Sequence, residues 1–347
     1  MQISPETQLF IREHQTDDVR ALALQARKYP NVDMPTAITQ IAGRQVAAEK
    51  IPSWRDTDDI WYPKHLSLEQ CSSEVTARYK ATLLKGNSLT DLTGGFGIDC
   101  SFLATGFRSA TYVERQAELC AIAAHNFPAL DLNHISVRND DGVAYLEAMS
   151  PVDCIFLDPA RRNEHGGKTV AISDCEPNVA ELEELLLQKA NRVMIKLSPM
   201  LDLSLALKEL KQTQEVHILS VNNECKELLI LLGQTSPAEI SIHCVNLFTK
   251  GTQKEQHFVF TREQEQCSEC TYTDSLETYL YEPNASLLKA GAFRSIAAAY
   301  PVRKLHPNSH LYTSDTFIEN FPGRIFRIVN QCSFNKKEVK ENLADLK

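Results

Sequence analysis

From the start of the chain to about residue 85, apolar side chains recur at intervals of three and four. DDVRALALQARKYP and PTAITQIAGRQVAAEK both show this spacing and are rich in Ala, Leu, Gln and Lys, which predicts amphipathic helices. After the less regular IPSWRDTDDIWYPKH comes CSSEVTARYKATLL, a further helix with Val75, Tyr79 and Leu83 on one face. At Ser88 the rhythm changes to short apolar runs alternating with helical lengths. SLTDLTG, SATYVER, ISVRND, VDCIFLDP, RVMIKLSP and EVHILSVNN are each separated from the next by a helix-like stretch. Six such strands predict a parallel sheet covered on both faces. ELLILLG follows the sixth after too few residues for a crossover helix, so it is expected to pair antiparallel.

The expected fold is therefore α/β, with a Rossmann-like sheet of seven strands, six parallel and one antiparallel. ISIHCVNLF and HFVFTR also look like strands, but the pattern gives them no place in that sheet. From about Ser275 the pattern is that of a small mixed α+β unit ending in a charged helical segment with no strand after it, so this last unit is expected to be incomplete. The expected organisation is an N-terminal helical domain over residues 1–86, the sheet domain over 87–265 and the α+β region over 275–347.

Composition narrows the class. The longest unbroken apolar run is Leu119 to Ala124, far short of a membrane span, and MQISPETQLFIREHQ lacks the basic and apolar regions of a signal peptide. A cytoplasmic protein with no membrane partner is expected, with its ten cysteines as free thiols. Cys267-Ser268-Glu269-Cys270 would make half a zinc site if His243 and Cys244 supplied the rest. Neighbouring side chains on a strand point to opposite faces, however, and the spacing fits no familiar knuckle, so no metal is expected. The net charge is −9, unevenly spread: from Pro283 onward ten Lys and Arg face five Asp and Glu, a local +5, leaving the first 282 residues at −14. A basic tail on an acidic body is compatible with phosphate contacts.

The candidate chemistry lies where the strands end. Asp91-Leu92-Thr93-Gly94-Gly95-Phe96-Gly97 turns the first strand into its helix. It is not a dinucleotide fingerprint, because Cys100 stands where the third glycine would be, and no Lys-Ser/Thr pair makes a phosphate loop. Glu114 closes the second strand, where such folds place a carboxylate for ribose hydroxyls, and Asp141 after the third is placed to accept an adenine amine. Each acid alone could equally cap a helix. Three at successive strand ends, beside a glycine turn without anion-binding equipment, suit S-adenosylmethionine.

At these residues the chain resembles class I S-adenosylmethionine-dependent methyltransferases: DLTGGFGID is similar to their first motif, VER to the second, NDD to the third and FLDPARR to the fourth. The resemblance spans about residues 66–234. The run through YVER, FLDPARR and VMIKLSP is more narrowly similar to bacterial ribosomal RNA guanine-N2 methyltransferases. It is most similar to bacterial methyltransferases with ferredoxin-like and THUMP-like C-terminal regions. The resemblance implies a donor site of Asp91, Thr93, Gly95, Gly97, Glu114, Arg115, Asp140 and Asp141, with Gln70 and Ser72 closing over it. It also implies an RNA substrate, rRNA or tRNA.

At the fourth strand end, the Asp158 carboxylate and the Pro159 carbonyl are placed to accept the hydrogens of an exocyclic base amine, guanine N2 before adenine N6. Amino-methyltransferases of this kind usually carry a second proline and an aromatic where this chain has Ala160 and Arg161. Arg161 could stack on the base, grip a phosphate, or merely pair with Asp158, as could Arg162. Lys196 and Ser198, at the fifth strand end, are expected on the substrate side. The loop holding His165, Gly166, Gly167 and Lys168 is a candidate lid. A pyrimidine-carbon methylase would need a nucleophilic cysteine, and neither Cys154 nor Cys175 is well set for it. The alternatives are a DNA or small-molecule methyltransferase, or a donor-binding RNA-binding protein without catalysis.

Overall fold

The computed structural model describes residues 3–161, 171–235 and 237–344. The chain forms two compact units, Met1–Gln214 with Leu229–Pro237, and Glu215–Leu228 with Ala238–Lys347.

The first unit begins with helices α1 (Pro5–Glu13), α2 (Val19–Leu24) and α3 (Met34–Lys50). Ser4, Asp18 and Asp33 cap them by accepting backbone N–H bonds from Thr7, Ala21 and Thr36, satisfying donors that the first turn leaves open. Phe10, Leu22, Met34, Ala37 and Ile41 close their core. Helices α4 (Pro52–Asp56), α5 (His65–Gln70) and α6 (Glu74–Leu83) follow. The buried face of α6 carries Thr76, Ala77 and Lys80, while Val75, Tyr79 and Leu83 are only half-buried. The three-four spacing fits both stripes, and the one carrying Lys80 lies against the neighbouring helix α7 (Ile98–Ala104).

Strands β1 (Ser88–Asp91), β2 (Ser109–Glu114), β3 (Ile135–Asn139), β4 (Val152–Leu157) and β5 (Ala190–Leu197) form the parallel sheet, in the order β3-β2-β1-β4-β5. The last four residues of β4 and the last five of β5 are all buried, as expected of strands covered on both faces. Helices α8 (Ala117–Ala129), α9 (Gly142–Ala148), α10 (Val179–Lys189) and α11 (Leu203–Glu209) fall between the strands. Strand order reverses between β1 and β4, so a crevice opens at their carboxyl ends, where doubly wound sheets take their ligands. The expected boundary at residue 86 does not separate two cores. Phe96, Ile98 and Ile122 of the sheet region share one cluster with Ala47, Ile51, Trp54 and Tyr62 of the helices.

The second unit contains most of β6 (Thr213–Val221), joined to β7 (Glu224–Gly233) through Asn222 and Asn223, which have φ of 50° and 67°. Two successive left-handed residues make the tight reversal of a two-residue hairpin. ISIHCVNLF and HFVFTR, left without a place by the sequence pattern, are β8 (Ser241–Leu247), parallel to β6, and β9 (Glu255–Thr261), antiparallel to β8. The expected boundary at 265 therefore falls inside this unit. Beyond them, β10 (Tyr279–Pro283), β11 (Arg303–Lys304), β12 (Tyr312–Ser314) and β13 (Gly323–Arg327) form an antiparallel sheet ordered β11-β12-β10-β13.

Candidate active site

Asp91 ends β1 with only 1% of its surface exposed. Its Oδ1 accepts the Thr93 N–H at 3.0 Å, whereas Oδ2 is buried without a hydrogen-bond partner among the described residues. Burial pushes the carboxyl up to about 8; the Thr93 N–H and Lys196 pull it down, and the carboxylates of Asp99 and Asp158 push it further up. A buried acceptor without a donor costs about 1–3 kcal/mol, which marks a place where a ligand donor fits.

The turn after Asp91 is fastened to the end of β2. Glu114, itself buried, accepts N–H bonds from Gly95 at 2.9 Å and Gln116 at 2.8 Å, and the Tyr112 hydroxyl donates to the Gly95 carbonyl at 2.5 Å. Gly95 has φ of +53°, and an added Cβ would meet nothing nearer than the Thr93 carbonyl oxygen at 3.8 Å, so the turn is open at this residue. Gly97, at φ +88°, caps α7 in the left-handed conformation, which a side chain adopts only with strain. Between them, Phe96 packs edge-on against Trp54 at 5.0 Å, so the N-terminal helices hold the turn in place.

Behind the turn lies a buried cluster of charges. Lys80, fully buried on α6, pairs with Asp99 of α7 at 2.9 Å. Lys196, near the end of β5, reaches Asp99 at 3.1 Å and Asp158 at 2.5 Å. The Ser72 hydroxyl donates to Asp99 at 2.7 Å and accepts from Lys80 at 2.9 Å and Lys196 at 3.0 Å. Burial alone would raise Asp99, but the two ammonium groups outweigh it and hold the carboxyl well below the usual carboxylate range. Burial raises Asp158 above its ordinary value, with Lys196 opposing. Its backbone N–H donates to Thr93 Oγ1 at 2.6 Å, which ties the end of β4 to the glycine turn.

Of the residues singled out from the sequence, Ser72, Asp91, Thr93, Asp158 and Lys196 thus meet in one cluster. Pro159 is buried beside them. Asp141 does cap a helix: its Oδ1 accepts from Val143 at 2.9 Å and Ala144 at 3.1 Å, while Asp140 Oδ1 accepts the Asp141 N–H at 2.8 Å. Arg115 is exposed and pairs with Glu176 at 3.3 Å, a contact worth little in water. Gln70 is exposed at the end of α5, and Ser72, two residues on, is the member of that segment that enters the cluster. Ser198 Oγ accepts the Met200 N–H at 3.3 Å.

The Arg161 backbone pairs with Cys175 in a short antiparallel ladder. Its side chain, Arg162 and the lid candidates His165, Gly166, Gly167 and Lys168 lie outside the described residues. Cys154 is buried in β4, and burial pushes its thiol up to about 11, so it is no nucleophile at neutral pH. Cys267 is exposed at the end of α12 (Arg262–Cys267), and Cys244 is buried in β8. Sequence reasoning missed Lys80 and Asp99. Asp99 stands inside the DLTGGFGID motif, and Lys80 lies off the Val75, Tyr79 and Leu83 stripe of α6.

This sheet order, with a buried acid at the end of β1 and a half-buried one at the end of β4 around a glycine turn, is that of the Rossmann-like methyltransferases. A family model for protein-L-isoaspartate(D-aspartate) O-methyltransferase matches residues 49–163, and one for a ferredoxin-like domain matches residues 279–322. The crystal structure of a candidate methyltransferase from Porphyromonas gingivalis W83 is 35% identical to this chain, covers 99% of it and 85% of its own chain, and superposes with a TM-score of 0.85. The chain belongs to this methyltransferase family, which carries a ferredoxin-like domain toward its C-terminus. An rRNA methylase from Streptococcus thermophilus is 13% identical over 46% of this chain and 93% of that one, with a TM-score of 0.33, too distant to carry argument. No curated protein matches. Among the described residues, no helix is long and apolar enough to cross a membrane.

Proposed function

We propose that the protein transfers a methyl group from S-adenosylmethionine to an exocyclic amine of an RNA base, guanine N2 before adenine N6. The observation that carries the donor assignment is Asp91 Oδ2, a buried acceptor without a partner beside an open glycine turn. Asp91 would hold the donor's ammonium, Glu114 its ribose hydroxyls, and Asp140 or Asp141 its adenine amine, while nothing in the turn is equipped for phosphate. The donor supplies an already activated methyl group on a sulfonium, so the protein's work is alignment and electrostatics.

On the acceptor side, a base amine is a poor nucleophile because its lone pair is delocalised into the ring. Lys196 holds Asp158 Oδ2 at 2.5 Å. We assign Oδ1 and the Pro159 carbonyl to the amine hydrogens, which frees the nitrogen lone pair for the methyl and gives the departing proton a carboxylate to reach. The isoaspartyl family matched over residues 49–163 is named for methylating a carboxylate oxygen. An anionic acceptor would be repelled by Asp158, and this favours an amine.

RNA is supported by the C-terminal charge of +5 and by the antiparallel sheet of the second unit. There Phe326 is 44% exposed, with the Arg324 guanidinium 5.7 Å from its ring centre. Aromatic faces and guanidinium planes of this kind stack on unpaired bases. We read the residues after 322 as the start of a THUMP-like region.

Calorimetry with S-adenosylmethionine tests the donor site: micromolar binding is expected, strongly weakened in Glu114→Ala and Asp91→Ala, and unchanged titrations for both would remove the assignment. Asp158→Ala is expected to keep donor binding and lose transfer to RNA. Transfer at the wild-type rate would show that Asp158 only supports the strand end.

A further inference from the structure

Strands β6, β8 and β9 of the second unit carry a cluster that the methyl-transfer reading does not use. Glu215 and His217 alternate along β6 and so share a face. His243 of β8 stands directly across from His217 in the parallel register, and His257 of β9 is paired with Val245, on the same face as His243. The His217 and His243 rings stack with centroids 4.3 Å apart. His243 Nδ1 is 3.1 Å from His257 Nε2, and His217 Nε2 is 3.3 Å from Glu215 Oε2. One ligand atom from each of Glu215, His217 and His243 lies within 4.8 Å of the other two.

We propose that Glu215, His217 and His243 form a binding site for a divalent transition-metal ion, zinc foremost, with His257 as the fourth ligand. Zinc–nitrogen bonds of about 2.0–2.1 Å in a tetrahedron place neighbouring donor atoms about 3.3 Å apart, close to the two separations observed. Imidazole with a single carboxylate suits zinc, nickel or copper, whereas calcium and magnesium require oxygen-rich sets. His243 Nε2 lies 3.2 Å from Ser241 Oγ. With Nε2 donating to Ser241 Oγ, the Nδ1 lone pair would be left for the metal, as outer hydrogen bonds arrange for metal-bound histidines. The ion would cross-link three strands. Because the residues of the donor and acceptor sites belong to the first unit, its role is to stabilise the second.

The test uses the full chain with Cys267, Cys270 and Cys332 replaced by serine, since accessible thiols bind zinc themselves. Cobalt(II) titration is expected to give one ion per chain with the visible absorption of a tetrahedral site, displaced one-for-one by zinc, and zinc is expected to raise Tm. His243→Ala should abolish this. His257→Ala, at an exposed position that leaves the fold undisturbed, should weaken it at least tenfold. Absence of stoichiometric binding to the unsubstituted site, or equal binding by a folded His243→Ala variant, overturns the proposal.

Discussion

Replacing Asp91 by Asn separates ligand binding from stability more sharply than any other single change. The carboxyl sits at about 8 in the folded chain against an ordinary value of 3.8. A group raised in this way favours folding fully below pH 4, and that contribution is lost as pH climbs toward 8. At pH 7 the unfolded chain leaves the group ionised while the fold holds it protonated. At about 1.4 kcal/mol per pKa unit, the wild-type protein is penalised there by on the order of 4 kcal/mol. The amide keeps an acceptor for the Thr93 N–H and cannot ionise, but its own hydrogens lack a partner, a cost of ~1–2 kcal/mol. Asp91→Asn is therefore expected to be more stable than wild type by ~2–3 kcal/mol at pH 7, with no gain near pH 4 and the largest gain above pH 8.

Urea unfolding at pH 5, 7 and 9 measures this, and donor titrations at the same pH values measure the opposite trend. Wild-type affinity should strengthen as pH rises toward 8, with proton release visible in buffers of different ionisation enthalpy, and the variant should bind poorly throughout. A variant that is less stable at every pH and binds the donor normally would show that Asp91 is neither held protonated nor a donor ligand.

Other outcomes follow from the same cluster. Lys80→Met strips a fully buried cation from Asp99 and should destabilise the fold by ~3–5 kcal/mol in urea; pairing it with Asp99→Asn should recover much of the loss. Gly97→Ala forces a side chain to φ +88° with its Cβ 3.1 Å from the Phe127 ring, and should lower stability by ~1–2 kcal/mol. Since burial raises Asp158, methyl transfer should fall away on the acid side above the ordinary carboxylate range. A rate profile with no acid limb would contradict an ionised Asp158.

The five parallel strands were legible because each is a short run separated from the next by a helical length, and β4 and β5 are in addition buried runs rich in Val, Ile and Leu. The acids at their ends were legible because a doubly wound sheet brings all carboxyl ends to one edge. Lys80 was not, because two helical stripes compete on α6, and large side chains drew the assignment away from the stripe that is buried. Phe96, in the glycine turn, buries itself among the N-terminal helices, a contact across residue 86 that no local pattern announces. Asp141 reads identically from sequence whether it caps α9 or meets a ligand, and its Oδ1 accepts the capping bonds. The Glu215, His217 and His243 cluster has no linear spacing to find, since only the register between β6 and β8 brings its members together.

The most direct test is transfer itself. The full chain is incubated with labelled S-adenosylmethionine and total RNA from a strain lacking the gene, and the nucleosides are resolved by mass spectrometry, with Asp158→Ala alongside. Label is expected on an exocyclic base amine, N2-methylguanosine first, and none with the variant. Label confined to protein carboxyl groups, or no labelled nucleoside from a protein that binds the donor, would contradict it.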